Sequence, residues 1–290
     1  MQSTSENSWS NSRLVQSNFA LLVTMAVSLP ASGADITFPE DATSIKNLKT
    51  DFGAVGDGVT DDSNALIAAM NYMVSQRDHG GYATYIPRGN YRITKTIVYS
   101  GPRRENPGHY TNELSDTMRF IGQSRDGVVL KLDDNCPGYG DPEDPNPVLS
   151  FGKSTWGTNN NRVSGNMLKH VTVDIGAGND GAVGLVFHGA NNATVRDVHI
   201  RSSDPNKVGH IGFLDPWGAA HGLCEGITID GFNVGLEYLV GLVSATAWEH
   251  VVLRNQATSG IRLGPGSRAI RDLTSTQSSP DVPAITMNHD

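Results

Sequence analysis

Five stretches of the chain repeat one order of positions: apolar, charged, polar or small, apolar, any, apolar. They run Leu168 to Val173, Val195 to Ile200, Cys224 to Ile229, Trp248 to Leu253 and Ile270 to Ser275, with first positions 27, 29, 24 and 22 residues apart. A spacing of that size belongs to stacked repeats. The closing apolar positions are two apart and mostly β-branched, which places them on one face of a short strand. The leading apolar residue stands three before that pair, out of phase for a straight strand. A bend between them lets all three point inward across a corner.

The 16 to 23 residues between templates show no helical period and are rich in Gly, Asn, Asp and Pro. Further apolar runs, Gly184 to Phe187 and Gly260 to Leu263, read as second strands of the same turns. Parallel strands need a crossover, and here β-turns rather than helices supply it. The pattern predicts an all-β molecule, a single-stranded right-handed parallel β-helix whose rungs rise about 4.8 Å each.

Composition fits such a coil: 290 residues can bury one long core, and 32 Gly with 14 Pro supply its corners. With 22 Lys and Arg against 30 Asp and Glu, the net charge of −8 argues against a nucleic-acid partner. A polyanion would need a local basic site or a bridging cation.

The apolar run Phe19 to Leu29 follows Arg13 and precedes the small residues Pro30 to Ala34. It is too short to span a bilayer and has the layout of a secretory signal. Residues 1–34 are therefore expected to be a signal peptide and 35–290 the β-helix domain, secreted or periplasmic, with no membrane association after cleavage. The chain stops at Pro283 to Asp290 in an apparent strand, so the domain is expected to be incomplete at its C-terminus. Cys136 and Cys224 are read as unpaired thiols ahead of one disulfide, and no Cys/His spacing suggests a metal site.

Upstream, Asp51 to Asp62 carries Gly53, Gly56 and Gly58, and Thr60 to Ser63 offers side-chain caps for a helix in which Leu66, Met70 and Met73 share a face. Such a helix would cover the open end of the coil. A phosphate loop would require Lys and Ser or Thr after the glycines, where Asp61 and Asp62 stand instead. With Tyr85 to Ile93, which reads strand, Pro-x-Gly turn, strand, this stretch resembles the pectate lyase superfamily of right-handed β-helices, in its rhamnogalacturonase/epimerase-like and glucanase-like branch. The resemblance covers Ile45 to the C-terminus and implies an exported carbohydrate-active protein with a polysaccharide partner. Its common chemistries are hydrolysis between two carboxylates and β-elimination beside a uronate carboxyl, the latter often with Ca²⁺. The chain departs from the polygalacturonase pattern, lacking Asn-Thr-Asp, Gly-His-Gly and Arg-Ile-Lys in the solenoid.

Stacking the templates gives a charged column, Lys169, Arg196, Glu225, Glu249, Arg271. Glu225 and Glu249 would lie one rung apart, near the separation of about 5 Å used by retaining glycosidases, but the flanking arginines favour a surface ladder. The next column, His170, Asp197, Gly226, His250, Asp272, favours corner hydrogen bonding. The most site-like segment is Asp204 to His221. Its candidates are Asp204, His210 and Asp215 for catalysis, and Lys207, Trp217 and His221 for substrate, with the tryptophan face available to a sugar ring. Trp156 and the pair His109 and Tyr110 are further aromatic candidates. The acidic loop Gly140 to Pro145 lacks the spacing of a dedicated calcium loop. Two functions follow: a polysaccharide hydrolase or lyase, or a non-catalytic β-helix that binds glycans or serves as the N-terminal half of a longer glucanase-like enzyme.

Overall fold

A computed structural model describes residues 35–39, 42–76, 82–100, 117–152, 165–189, 192–216, 222–239, 246–265 and 268–287. The expected signal segment lies outside them. In chain order the elements are β1 (Ile45–Asn47), β2 (Asp57–Asp61), α1 (Ser63–Ser75), β3 (Ala83–Ile86), β4 (Gly89–Ile93), β5 (Ile97–Val98), β6 (Arg119–Gly122), β7 (Val128–Leu132), β8 (Asn146–Phe151), β9 (Met167–Asp174), β10 (Ala182–Phe187), β11 (Thr194–Arg201), β12 (Ile211–Asp215), β13 (Leu223–Asp230), β14 (Val234–Tyr238), β15 (Thr246–Arg254), β16 (Ser259–Leu263), β17 (Arg268–Thr276) and β18 (Ile285–Met287). Every strand pairing is parallel and joins one turn to the next, as in a parallel β-helix.

The templates are β9, β11, β13, β15 and β17, stacked in the expected register: Leu168, Val195, Cys224, Trp248 and Ile270 form one column. Val171, Val198, Ile227, Val251 and Leu273 form the next inward column. The bend is a left-handed residue at the third template position: φ is 56° at His170, 53° at Asp197, 67° at Gly226, 55° at His250 and 55° at Asp272. His, Asp and Gly are the types that tolerate this conformation, which explains a position otherwise merely polar or small. Each template is thus two strands meeting at a corner. On β9, the first half pairs with β6 and the second with β7.

The second sheet, β5 to β18 through β8, β10, β12, β14 and β16, closes each rung. Between the sheets runs an aromatic ladder, Phe120, Phe151, Phe187, Phe213 and Trp248, whose successive ring centroids lie 5.0 to 6.2 Å apart. Such contacts add to the burial of these large rings.

Helix α1 buries Leu66, Met70 and Met73 and packs on β3, β4 and β5, covering the first rung as expected. Within the expected stretch Thr60 to Ser63, Asp61 accepts the N–H of Ser63, the first helical residue, at 3.0 Å. Asp62 at the N-cap makes no side-chain bond to the helix; its two carboxylate oxygens instead accept the N–H groups of Val55 and Gly56, at 2.7 and 3.0 Å. The carboxylate satisfies the glycine-rich loop and occupies the place that a phosphate would need. Both cysteines are buried and free. Among the described residues, no helix is long and apolar enough to cross a membrane.

Candidate functional site

The charged column is a ladder. Arg196 pairs with Glu225 at 3.1 Å, and Arg271 with Glu249 at 2.5 Å. Each glutamate is thereby held by an arginine rather than left as an acid or base, and exposed pairs of this kind contribute little to stability. In the next column His170 Nδ1 meets Asp197 Oδ2 at 2.9 Å, with Arg125 at 3.3 Å from the same aspartate. The bond to His170, followed by the charge of Arg125, holds the Asp197 carboxyl below the usual aspartate range. His250 and Asp272 repeat the pair at 3.1 Å. These are corner contacts, as the pattern suggested.

The Asp204 to His221 candidates divide between two corners of the coil. Asp204 is buried and organises a turn, accepting the N–H groups of Asn206 at 2.7 Å and Gly178 at 3.0 Å. Lys207, at φ 60°, donates to the Ser202 carbonyl at 3.2 Å and to Asp230 at 3.4 Å. His210 precedes β12; burial pushes its imidazole below the ordinary value, and its Nδ1 is buried with no hydrogen-bond partner. Asp215 ends β12, five residues from His210, so an extended strand separates the two by about 16 Å. Asp204, His210 and Asp215 are not brought into one cluster. Trp217 and His221 lie outside the described residues, as do Trp156, His109 and Tyr110.

What does gather is a polar group around Asp215, in the last place a solenoid core expects one. In the second sheet Phe151 stacks on Phe187, and extending the register of Val186 with Leu214 by one residue puts Asp215 beneath Phe187. Tyr238 and then Leu263 follow on the next rungs. A carboxylate, 3% exposed, therefore stands in a column of aromatic and aliphatic side chains. Tyr238 Oη and Trp248 Nε1 are buried with no hydrogen-bond partner, and the two rings meet edge to face at 5.6 Å. The Arg268 guanidinium lies 4.7 Å from the centre of the Tyr238 ring. Burial, and then the charge of Asp215, drives the Tyr238 phenol and the Cys224 thiol well above their ordinary values, so both stay protonated. The two donors left without a partner, Tyr238 Oη and Trp248 Nε1, are costly to bury, and ionisable groups in such surroundings are candidates for a functional site.

Sequence reading found Asp215 but missed Tyr238, Trp248 and Arg268 as its neighbours. A legible signal existed: Val183-Gly184-Leu185-Val186-Phe187, Ile211-Gly212-Phe213-Leu214-Asp215, Val234-Gly235-Leu236-Glu237-Tyr238 and Ser259-Gly260-Ile261-Arg262-Leu263 are in-register repeats with Gly second. A Cβ on Gly212 would stand 2.8 Å from the Gly235 carbonyl, and one on Gly235 2.6 Å from that of Gly260. Only glycine permits that stacking. Aligning these segments places Asp215 opposite Tyr238 by inspection.

No group of three or more His, Cys, Asp or Glu side chains among the described residues is arranged to hold a metal ion.

Residues 45–280 match the model of the rhamnogalacturonase A/epimerase, pectate lyase-like family. The chain belongs to this family. Mannuronan C5-epimerase AlgE3 of Azotobacter vinelandii is 34% identical over 84 residues, which are 29% of this chain and 4% of that protein. AlgE2 of the same organism is 35% identical over 88 residues, 30% of this chain and 8% of that one. The matched stretch is thus less than a tenth of either epimerase. Among solved structures, ORF18 of Geobacillus virus E2 is similar at TM-score 0.46 and 13% identity, over 86% of this chain and 62% of that one.

Proposed function

We propose that this member of the pectate lyase-like family is an exported enzyme acting on a uronate polysaccharide of the mannuronan kind, at the corner that holds Asp215. The observation that carries this reading is the ionisable carboxyl group in the aromatic core column, beside a guanidinium and two unpartnered donors. The epimerases that share the 84 and 88 residues supply the substrate class.

In the proposed reaction the Asp215 carboxylate takes the proton from C5 of a uronate unit. The electron pair left behind delocalises into the adjoining carboxyl group, and in this reading Arg268 would offset the negative charge that develops there. In this reading Tyr238 Oη and Trp248 Nε1, buried and without a hydrogen-bond partner, would donate to the sugar oxygens. Return of a proton from solvent to the other face of C5 gives the epimer; breakage of the C4–O4 bond, with its electron pair leaving on O4 and a solvent proton taken up there, gives a C4=C5 double bond. Both outcomes share the first step.

The test is to incubate the chain with mannuronan and follow three products: guluronate by proton NMR, new double bonds by ultraviolet absorbance, and reducing ends. The reading predicts epimer or unsaturated product, with Asp215→Asn slower by about 10²-fold or more, the usual size of a lost general base. Glu225→Gln should be unaffected. Reducing ends without either product would point to hydrolysis instead. A second reading, a non-catalytic glycan-binding module, is favoured by the way Asp204, Lys207, Glu225 and Glu249 are all occupied by structural contacts. Retained polymer binding with no product would establish it.

A further inference from the structure

We propose that a cleft sharing no lining residue with the Asp215 corner is a second carbohydrate site, one that takes the vicinal diols of a neutral 1,4-linked glycan. The cleft, of about 480 Å³, runs along the coil from Gly58 to Ser203, over the outer face of β4, β7, β9 and β11. That volume is in the range of small-molecule sites. Its walls are three couples of opposite charge: Arg92 with Asp133 at 2.6 Å, Lys131 with Asp134 at 3.3 Å, and Arg201 with Asp174 at 2.8 Å. Three cations against three anions leave the cleft without net charge. It therefore neither recruits nor repels a polyanion, which separates it from the site proposed for a uronate polymer.

The couples of Arg92 with Asp133 and of Lys131 with Asp134 are partly exposed and have spare bonding capacity, whereas Asp174 is buried and already accepts from Arg201 and the Gly176 N–H. Arg92 forks onto both oxygens of Asp133 and adds one bond to the Val59 carbonyl at 3.1 Å, and each carboxylate oxygen can accept more than one hydrogen bond. A sugar hydroxyl is both donor and acceptor, so neighbouring hydroxyls can give a proton to a carboxylate and take one from a guanidinium or ammonium group. The cationic and anionic positions follow one register column, Arg92, Lys131, Asp174, Arg201, one rung apart. A rung rise of about 4.8 Å is close to the advance of a pyranose chain per unit, so a sugar chain laid along the column keeps step with its rungs. Units linked 1,4 present free hydroxyls at C2 and C3; units linked 1,3 present no such pair.

The test is titration of the labelled protein by NMR with cellohexaose, β-1,4-mannohexaose and laminarihexaose. Saturable shifts at Lys131, Ser203 and their neighbours are expected with one or both 1,4-linked probes and not with laminarihexaose. Arg92→Ala and Ser203→Trp, both at open positions, should weaken binding at least tenfold. Asp215→Asn should leave it unchanged, so this site and the uronate reading fail separately. The proposal is overturned if neither 1,4-linked probe binds, if laminarihexaose binds equally, or if binding survives Ser203→Trp, which would leave the couples as a surface ladder.

Discussion

Gly226 is the residue at which the corner rule is easiest to see. It shares its left-handed conformation with two histidines and two aspartates in the same column, and a Cβ there would meet nothing closer than 3.6 Å. Space is not the constraint; backbone strain is. Gly226→Asn should be nearly neutral, while Gly226→Val should cost about 1–3 kcal/mol, read from denaturant midpoints. At the same scale, burial holds the His188 and His199 imidazoles neutral down to about 4. In the unfolded chain they protonate near the ordinary value of about 6.5. Between these limits the unfolded state binds more protons, so stability is full above about pH 6.5 and falls as pH drops toward 4. Thermal melts across that window should show the fall, and His199→Gln should remove roughly half of it.

Elements show how much could be read in advance. The five templates give their own register because each side chain lies one rung above its counterpart, and a repeat in space is then a repeat in sequence. The second sheet was harder, since its strands are buried on both faces, as β10 and β12 are throughout, and lose the alternation that marks a half-buried strand. Helix α1 was legible from Leu66, Met70 and Met73 and its capping stretch from Thr60 to Ser63, but the role of Asp62 was not, because its carboxylate has two competing uses and only the fold decides between them. Leu66→Ala should cost about 2–5 kcal/mol, since Leu66 is fully buried under the first rung; a change below 1 kcal/mol would mean that α1 does not seal that end.

Across the whole molecule, long-range position was the part that sequence could not give. Asp204 and Asp215 are close in the chain yet belong to different corners, whereas Asp215 and Tyr238 are 23 residues apart and adjacent in space. Proximity in a coil follows the rung, not the loop, and a search for neighbouring catalytic residues within one excursion selects the wrong partners. The charge-balanced cleft shares no lining residue with the Asp215 corner. The account stands on proton removal at the second of these. Mannuronan carrying tritium at C5 should release it to water when incubated with the protein, whether epimerisation or elimination follows; tritium retained in the polymer while the protein remains folded and bound to it would contradict the account.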